Sequence, residues 1–158
     1  MGTRSTIALE FADGTVEQVY CHWDGYLEHN GQILLEHYDS AKANNLVALG
    51  DLSSLGTVIG EKRPFSPHNS EEDRVAYEAA DKAGWCLFYG RDRGETGTEW
   101  QVAHTFEQFY DQCDGCGAEF YYIMKDGVWY VGTTYSSGAL AGKLVALAEA
   151  LAAEAVSA

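Results

Sequence analysis

The chain has 158 residues, enough for one domain with its own core, and its 46% hydrophobic and 13% aromatic content is that of a globular protein. Its 24 acids against 10 bases leave a formal charge of −14. That balance excludes a general binder of nucleic acid or of anionic membranes, whose affinity rests on clustered Lys and Arg. It leaves room for a basic protein partner, for mimicry of a polyanion, or for a local basic pocket that takes a small phosphate compound.

The segment TRSTIALEF-ADG-TVEQVYCHW reads as a β-hairpin. A three-residue loop, Ala12-Asp13-Gly14, closes Phe11 on Thr15, so that residues whose numbers sum to 26 face each other. Ile7, Leu9, Phe11, Val19, Cys21 and Trp23 then share an apolar face, and Arg4, Tyr20, His22 and Asp24 share the opposite one, with Arg4 across from His22. The adjacent Cys21 and His22 therefore point apart and do not make a nucleophile–base pair.

Residues 26–38 carry Leu27, Leu34, Leu35 and Tyr38 at helical spacing, with Gly31 on the same face to permit close approach to a sheet. A second helix fits 41–49, and GDLSSLG reads as a loop. Residues 60–82 hold both prolines and an acidic run, which predicts an exposed excursion ending in a helix near 72–82. The segment 85–95, WCLFYGRDRGE, begins as a strand and becomes a charged loop, in which extended geometry sets Tyr89, Arg91 and Arg93 on one face. A short helix fits 105–113. A second hairpin turns at Asp126-Gly127, and a last helix is predicted from about 138 to 155, striped by Leu140, Leu144, Leu147 and Leu151. The order predicts a single α+β domain over residues 1–158, with an antiparallel sheet of about five strands and helices packed mainly on one face. The aromatic residues of 120–122 and 129–130 fall on both sheet faces, so the second face needs a covering helix, a stacking role or an interface; an uncovered one would favour a homo-oligomer.

Two segments carry the candidate ligand site. YCHWDGY supplies His22, Asp24 and Tyr26, with Arg4 opposite; YGRDRGE supplies Tyr89, Arg91 and Arg93, and Trp100 follows it. Arginine forks bind phosphate or carboxylate, and the tyrosines and Trp100 can stack on a base. The plainer readings are a polar cluster at a strand end, with Asp24 capping the next helix, and arginines salt-bridged within an acidic surface. CDGCG (113–117) is half of a zinc knuckle, without the two further ligands a knuckle needs, and reads by default as a glycine-punctuated helix end. No metal or cofactor is expected. No phosphate loop, nucleophile elbow or dinucleotide fingerprint is present. The N-terminus has no signal-peptide pattern and the Ala-rich C-terminal stretch is broken by charges, so a cytoplasmic chain with reduced cysteines and no membrane span is expected.

The blocks MGTRSTIAL, YCHWDGYLEHNGQILLEHY, LVALGDLSSLG, GEK, YGRDRGE and VWYV, taken as a series, resemble a group of small uncharacterised proteins encoded by phages and prophages. The resemblance covers most of the chain. It implies a setting in an infected host cell, where small accessory proteins act on host systems such as the nucleotide signals or effector proteins of defence. Three functions follow as expectations: a binder that sequesters a small phosphate-containing, nucleotide-derived ligand; an acidic inhibitor or polyanion mimic of a host protein; and a phosphoester hydrolase working through His22 and Asp24.

Overall fold

The computed structural model describes residues 2–135, 138, 140 and 142–157. Strands β1 (Ser5–Glu10) and β2 (Val16–Cys21) form the first hairpin. Its register pairs Ile7 with Val19 and Ser5 with Cys21, the sum-to-26 pairing expected of a three-residue loop. Gly14 takes the left-handed φ of +88° that this loop requires, and Asp13 Oδ1 accepts from Thr15 N at 3.0 Å. Beyond it come a π-helical turn (Leu27–Gly31) that runs into α1 (Gln32–His37), then α2 (Ser40–Ala48), β3 (Leu52–Ser54) and α3 (Glu71–Lys82). They are followed by β4 (Leu87–Phe88), α4 (Tyr89–Arg93), β5 (Gln101–Ala103) and α5 (Phe106–Gly115). Strands β6 (Phe120–Lys125) and β7 (Val128–Thr133) form the second hairpin, and β8 (Val145–Ala146) leads into α6 (Leu147–Ser157). Asp126 and Gly127 both have positive φ, 51° and 78°, as a two-residue hairpin turn demands.

The domain is α+β, as expected, but the sheet is larger than predicted and mixed. Eight strands run in the order β4-β3-β2-β1-β6-β7-β8, with β5 also on β2. The correction to an all-antiparallel sheet lies at β1, which pairs antiparallel with β2 and parallel with β6 along its whole length. Strands β3, β4, β5 and β8 are two or three residues long, too short to show the alternation by which a strand is read.

The odd-numbered face of the central hairpin carries Ile7, Leu9, Val19 and Cys21, joined by Tyr122, Met124 and Val131 under Leu34, Leu46 and Leu147 of the helices. Gly31 sits where a Cβ would come within 3.3 Å of Leu147 and Tyr122, the close approach expected of it. The second face is covered by α5: Phe109 and Cys113 pack on Ala8, Val16, Tyr121 and Ile123, with Phe109 edge-on to Tyr121 at 5.5 Å. A helix thus covers the second aromatic face at Tyr121. Burying Phe109 completely contributes about 2–3 kcal/mol to holding α5 there.

Four local expectations need correction. Trp23 is 44% exposed, not in the core, because β2 ends at Cys21 and Asp24 turns the chain at φ 58°. Leu35 is also exposed. The excursion over 60–82 is not wholly exposed, since Arg63 is buried and donates to Asp81 Oδ1 at 2.7 Å and to the carbonyl of Trp85 at 3.1 Å. The last helix begins at Leu147 because Gly142 takes a left-handed φ of 67° and β8 pairs with β7; residues 139 and 141 of the predicted span lie outside the described residues. No described helix is long and apolar enough to cross a membrane.

Candidate functional site

The outer edge of β2 is shared. Its first half pairs with β5 through Gln18 and Gln101, and its end pairs with β3 through Cys21 and Leu52. Between the two partners the N–H of Tyr20 would be left without a ladder bond, and Asp51 fills the gap: its Oδ1 accepts from Tyr20 N at 2.9 Å. The loop that precedes β5 pins this corner, with Asp51 N donating to the carbonyl of Thr98 at 2.8 Å. Gly50 permits the approach, since a Cβ there would lie 2.4 Å from the same carbonyl oxygen. Burial pushes the Asp51 carboxyl up to about 6, with Glu95 and Glu99 adding to the shift and the Tyr20 N–H opposing it.

Helix α5 covers only part of the second sheet face. Where it stops, a cleft of about 300 Å³ opens, lined by Thr6, Gln18, Tyr20, Asp51, Gln101 and Cys116. The helix ends there at Gly117 with φ 76°, which realises the helix-end reading of CDGCG. Cys113 is buried against Thr6 Oγ1 at 3.2 Å, whereas Cys116 is exposed. Burial raises both thiols, Cys113 to about 12, so neither is a ready thiolate. Among the described residues no three His, Cys, Asp or Glu side chains gather as a metal ion would need.

The eight residues singled out in the sequence part company. Arg4 is exposed at the start of β1, and its guanidinium lies over Gly117 at the end of α5. Arg4 is not itself a lining residue, but Gly117 directly follows Cys116 of the cleft wall, so the guanidinium lies beside the cleft. His22 reaches the same face through Tyr20, whose hydroxyl lies 2.7 Å from His22 Nδ1. Asp24 does not join them: its carbonyl accepts from Asn30 N at 3.2 Å, and its carboxylate neither caps the following helix nor bonds to His22 among the described residues. Tyr26 begins the helical segment of the other sheet face and sits against His29. Trp100 is exposed beside Gln101 and does not line the cleft.

YGRDRGE is a one-turn helix with Gly94 left-handed behind it, not an extended loop, so Tyr89, Arg91 and Arg93 do not share a face as a strand would set them. Tyr89 meets the cleft corner from behind, its N–H donating to the Asp51 carbonyl at 3.2 Å. Arg91 turns inward and is consumed. It donates to the carbonyls of Ile59 (2.9 Å), Gly60 (3.2 Å) and Cys86 (3.0 Å) and to both oxygens of Asp92. The Asp92 carboxylate, fully buried, also accepts from Arg63 N and Phe88 N. Arg91 is therefore a structural clamp and is withdrawn from the ligand site. Arg93 lies over the rings of Phe65 and Tyr89 and pairs with Glu95.

Sequence reasoning missed Thr6, Gln18, Asp51, Gln101 and Cys116. The hairpin register already set Thr6 and Gln18 on the face of Tyr20; Asp51 had no signal, because its role depends on where β3 and β5 part. A larger groove of about 800 Å³ lies between the α1–α2 turn and the β6–β7 turn. Its polar groups are mostly committed: Trp129 Nε1 donates to the Tyr38 carbonyl, Lys42 Nζ to the Thr57 carbonyl, and His37 pairs with Glu36. Comparison with protein-family models, with curated proteins and with solved structures finds no match.

Proposed function

We propose that the protein binds a small phosphate-containing ligand in the cleft between β2, β5 and the end of α5, with Arg4 on the phosphate. One observation carries this reading. Arg63, Arg74, Arg91 and Arg93 each have a carboxylate partner, whereas the Arg4 guanidinium has none among the described residues, in a chain of net charge −14. An unpaired guanidinium fork beside a cleft of ligand-site volume suits an anionic group that the rest of the surface repels. His22 holds the hydroxyl of Tyr20, a residue of the cleft wall. His22 Nδ1 is engaged by the Tyr20 hydroxyl and not by Asp24, which supports binding over hydrolysis through a His22–Asp24 pair. In the phage setting that the resemblance implies, binding without turnover would withdraw a nucleotide-derived signal from the host.

The test is isothermal titration of the purified protein with ribose 5-phosphate and with nucleoside monophosphates. One site per chain is expected, weakened about 10-fold or more in Arg4→Gln, the loss for one hydrogen bond between charged groups. The reading fails if no phosphate compound binds at millimolar concentration, or if Arg4→Gln binds as the wild type does.

A further inference from the structure

The hydrogen-bonding groups of the cleft divide into those already committed and those left over. Gln18 Nε2 donates to Gln112 Oε1 at 2.5 Å, and Gln18 Oε1 accepts from Cys113 Sγ at 3.5 Å. Thr6 Oγ1 is engaged with Cys113, Cys116 Sγ donates to the Cys113 carbonyl at 3.3 Å, and the Tyr20 hydroxyl is held by His22. Three groups have no hydrogen-bond partner among the described residues: Asp51 Oδ2, the side-chain amide of Gln101 and the guanidinium of Arg4. The first two belong to the corner where β2 loses its ladder, and the third lies over Gly117 at the end of α5. Asp51 and Cys116 line the same cleft, and Arg4 lies over Gly117, the residue after Cys116.

This remainder has a chemical complement. Asp51 is an acceptor with no donor of its own when ionised, and Oδ1 is already fixed by the backbone of β2, so the carboxylate presents a fixed acceptor edge. Gln101 beside it supplies an amide that can donate. An edge with two adjacent N–H donors followed by a carbonyl acceptor fits this arrangement, and guanine presents N2–H, N1–H and O6 in that order. Adenine and cytosine place a ring acceptor next to their single amino donor, and uracil flanks its one N–H with two carbonyls; each would face the carboxylate with a lone pair. The Tyr20 ring in the cleft wall offers a surface on which a base can stack. At about 300 Å³ the volume stands at the low end of ligand sites, which suits one nucleotide and not an oligonucleotide.

We infer that the cleft is a guanine-nucleotide site, with the base read by Asp51 and Gln101 and the phosphate held by Arg4. The inference rests on the proposed ligand-binding function and adds the identity of the base. No bond is made or broken.

Isothermal titration with GMP, AMP, CMP, UMP and ribose 5-phosphate tests it. GMP is expected to bind about 10-fold or more tighter than the other four, within the ~5- to 150-fold range of a bidentate base contact. Asp51→Asn keeps an oxygen for the Tyr20 N–H but turns an amide donor towards the base, and it is expected to erase the preference for GMP over AMP, CMP and UMP. If all five compounds bind alike to the wild type, the base assignment is overturned and phosphate binding stands. If none binds, both fail. The wild-type comparison decides the matter even if Asp51→Asn does not fold.

Discussion

The buried Asp92 carboxylate is the group on which the YGRDRGE segment depends, and its removal should cost more than any surface change in that segment. It accepts from Phe88 N at 2.8 Å, from Arg63 N at 3.0 Å and from Arg91 Nε at 2.9 Å, with its side chain wholly out of solvent. Asp92→Ala leaves two buried N–H groups without acceptors, at roughly 1–3 kcal/mol each. It also strips Arg91 of its charge partner, and breaking a buried pair from one side costs about 3–5 kcal/mol. These losses overlap, so a total of about 4 kcal/mol is expected. Urea unfolding followed by circular dichroism should show the midpoint falling by about 2 M at unchanged slope, for a slope near 2 kcal/mol/M. The thermal midpoint should fall by about 8–16 °C. Arg91→Met, which removes the other side of the pair, should destabilise comparably, and its folded fraction should bind ligand as the wild type does. A loss below about 1 kcal/mol in both variants, the level of an ordinary exposed pair, would refute the clamp and return Arg91 to the candidate ligand residues.

Two other predictions follow from the cleft. Folding raises the Asp51 carboxyl to about 6, so its contribution to stability is fully present below about pH 4 and is lost as pH rises through 6. Asp51→Asn should therefore melt closer to the wild type at pH 4 than at pH 7, where it should gain relative to it; parallel melting curves across that window would contradict the buried ionisation. Among the thiols, Cys21, Cys86 and Cys113 are buried and Cys116 is exposed. A thiol reagent at mildly alkaline pH should thus modify one cysteine per native chain and the rest only in denaturant, with Cys116 identified by peptide mass and slowed by bound nucleotide. Rapid native labelling of Cys21 or Cys113 would mean that the packing at the hairpin or under α5 is wrong.

The hairpins were legible because each carries its turn chemistry locally: Gly14 left-handed after Asp13, and Asp126-Gly127 at positive φ. The close approach at Gly31 was legible for a similar reason, since only spacing along one helix was needed. What escaped reading was long-range. The parallel pairing of β1 with β6 joins residues 115 positions apart, and no local pattern distinguishes it from an antiparallel one. Arg91 looks like any surface arginine until the carbonyls of Ile59, Gly60 and Cys86 converge on it. Asp51 reads as a loop residue until two strands part on either side of it. The polar half of YCHWDGY survives as Tyr20 and His22 on the cleft face, while Trp23 and Asp24 belong to the turn that ends the strand.

The central claim is that the cleft beside Asp51, and not the larger groove at Trp129 or the arginines of α4, receives the ligand. The most direct measurement is a ¹H–¹⁵N correlation titration of the protein with GMP. The account predicts shifts at the amides of Thr6, Gln18, Tyr20, Asp51, Gln101 and Cys116 and at Arg4 Nε, with the Trp129 indole and Arg91 Nε unmoved. Shifts concentrated at Trp129 and residues 35–42, or at Arg91, would contradict it.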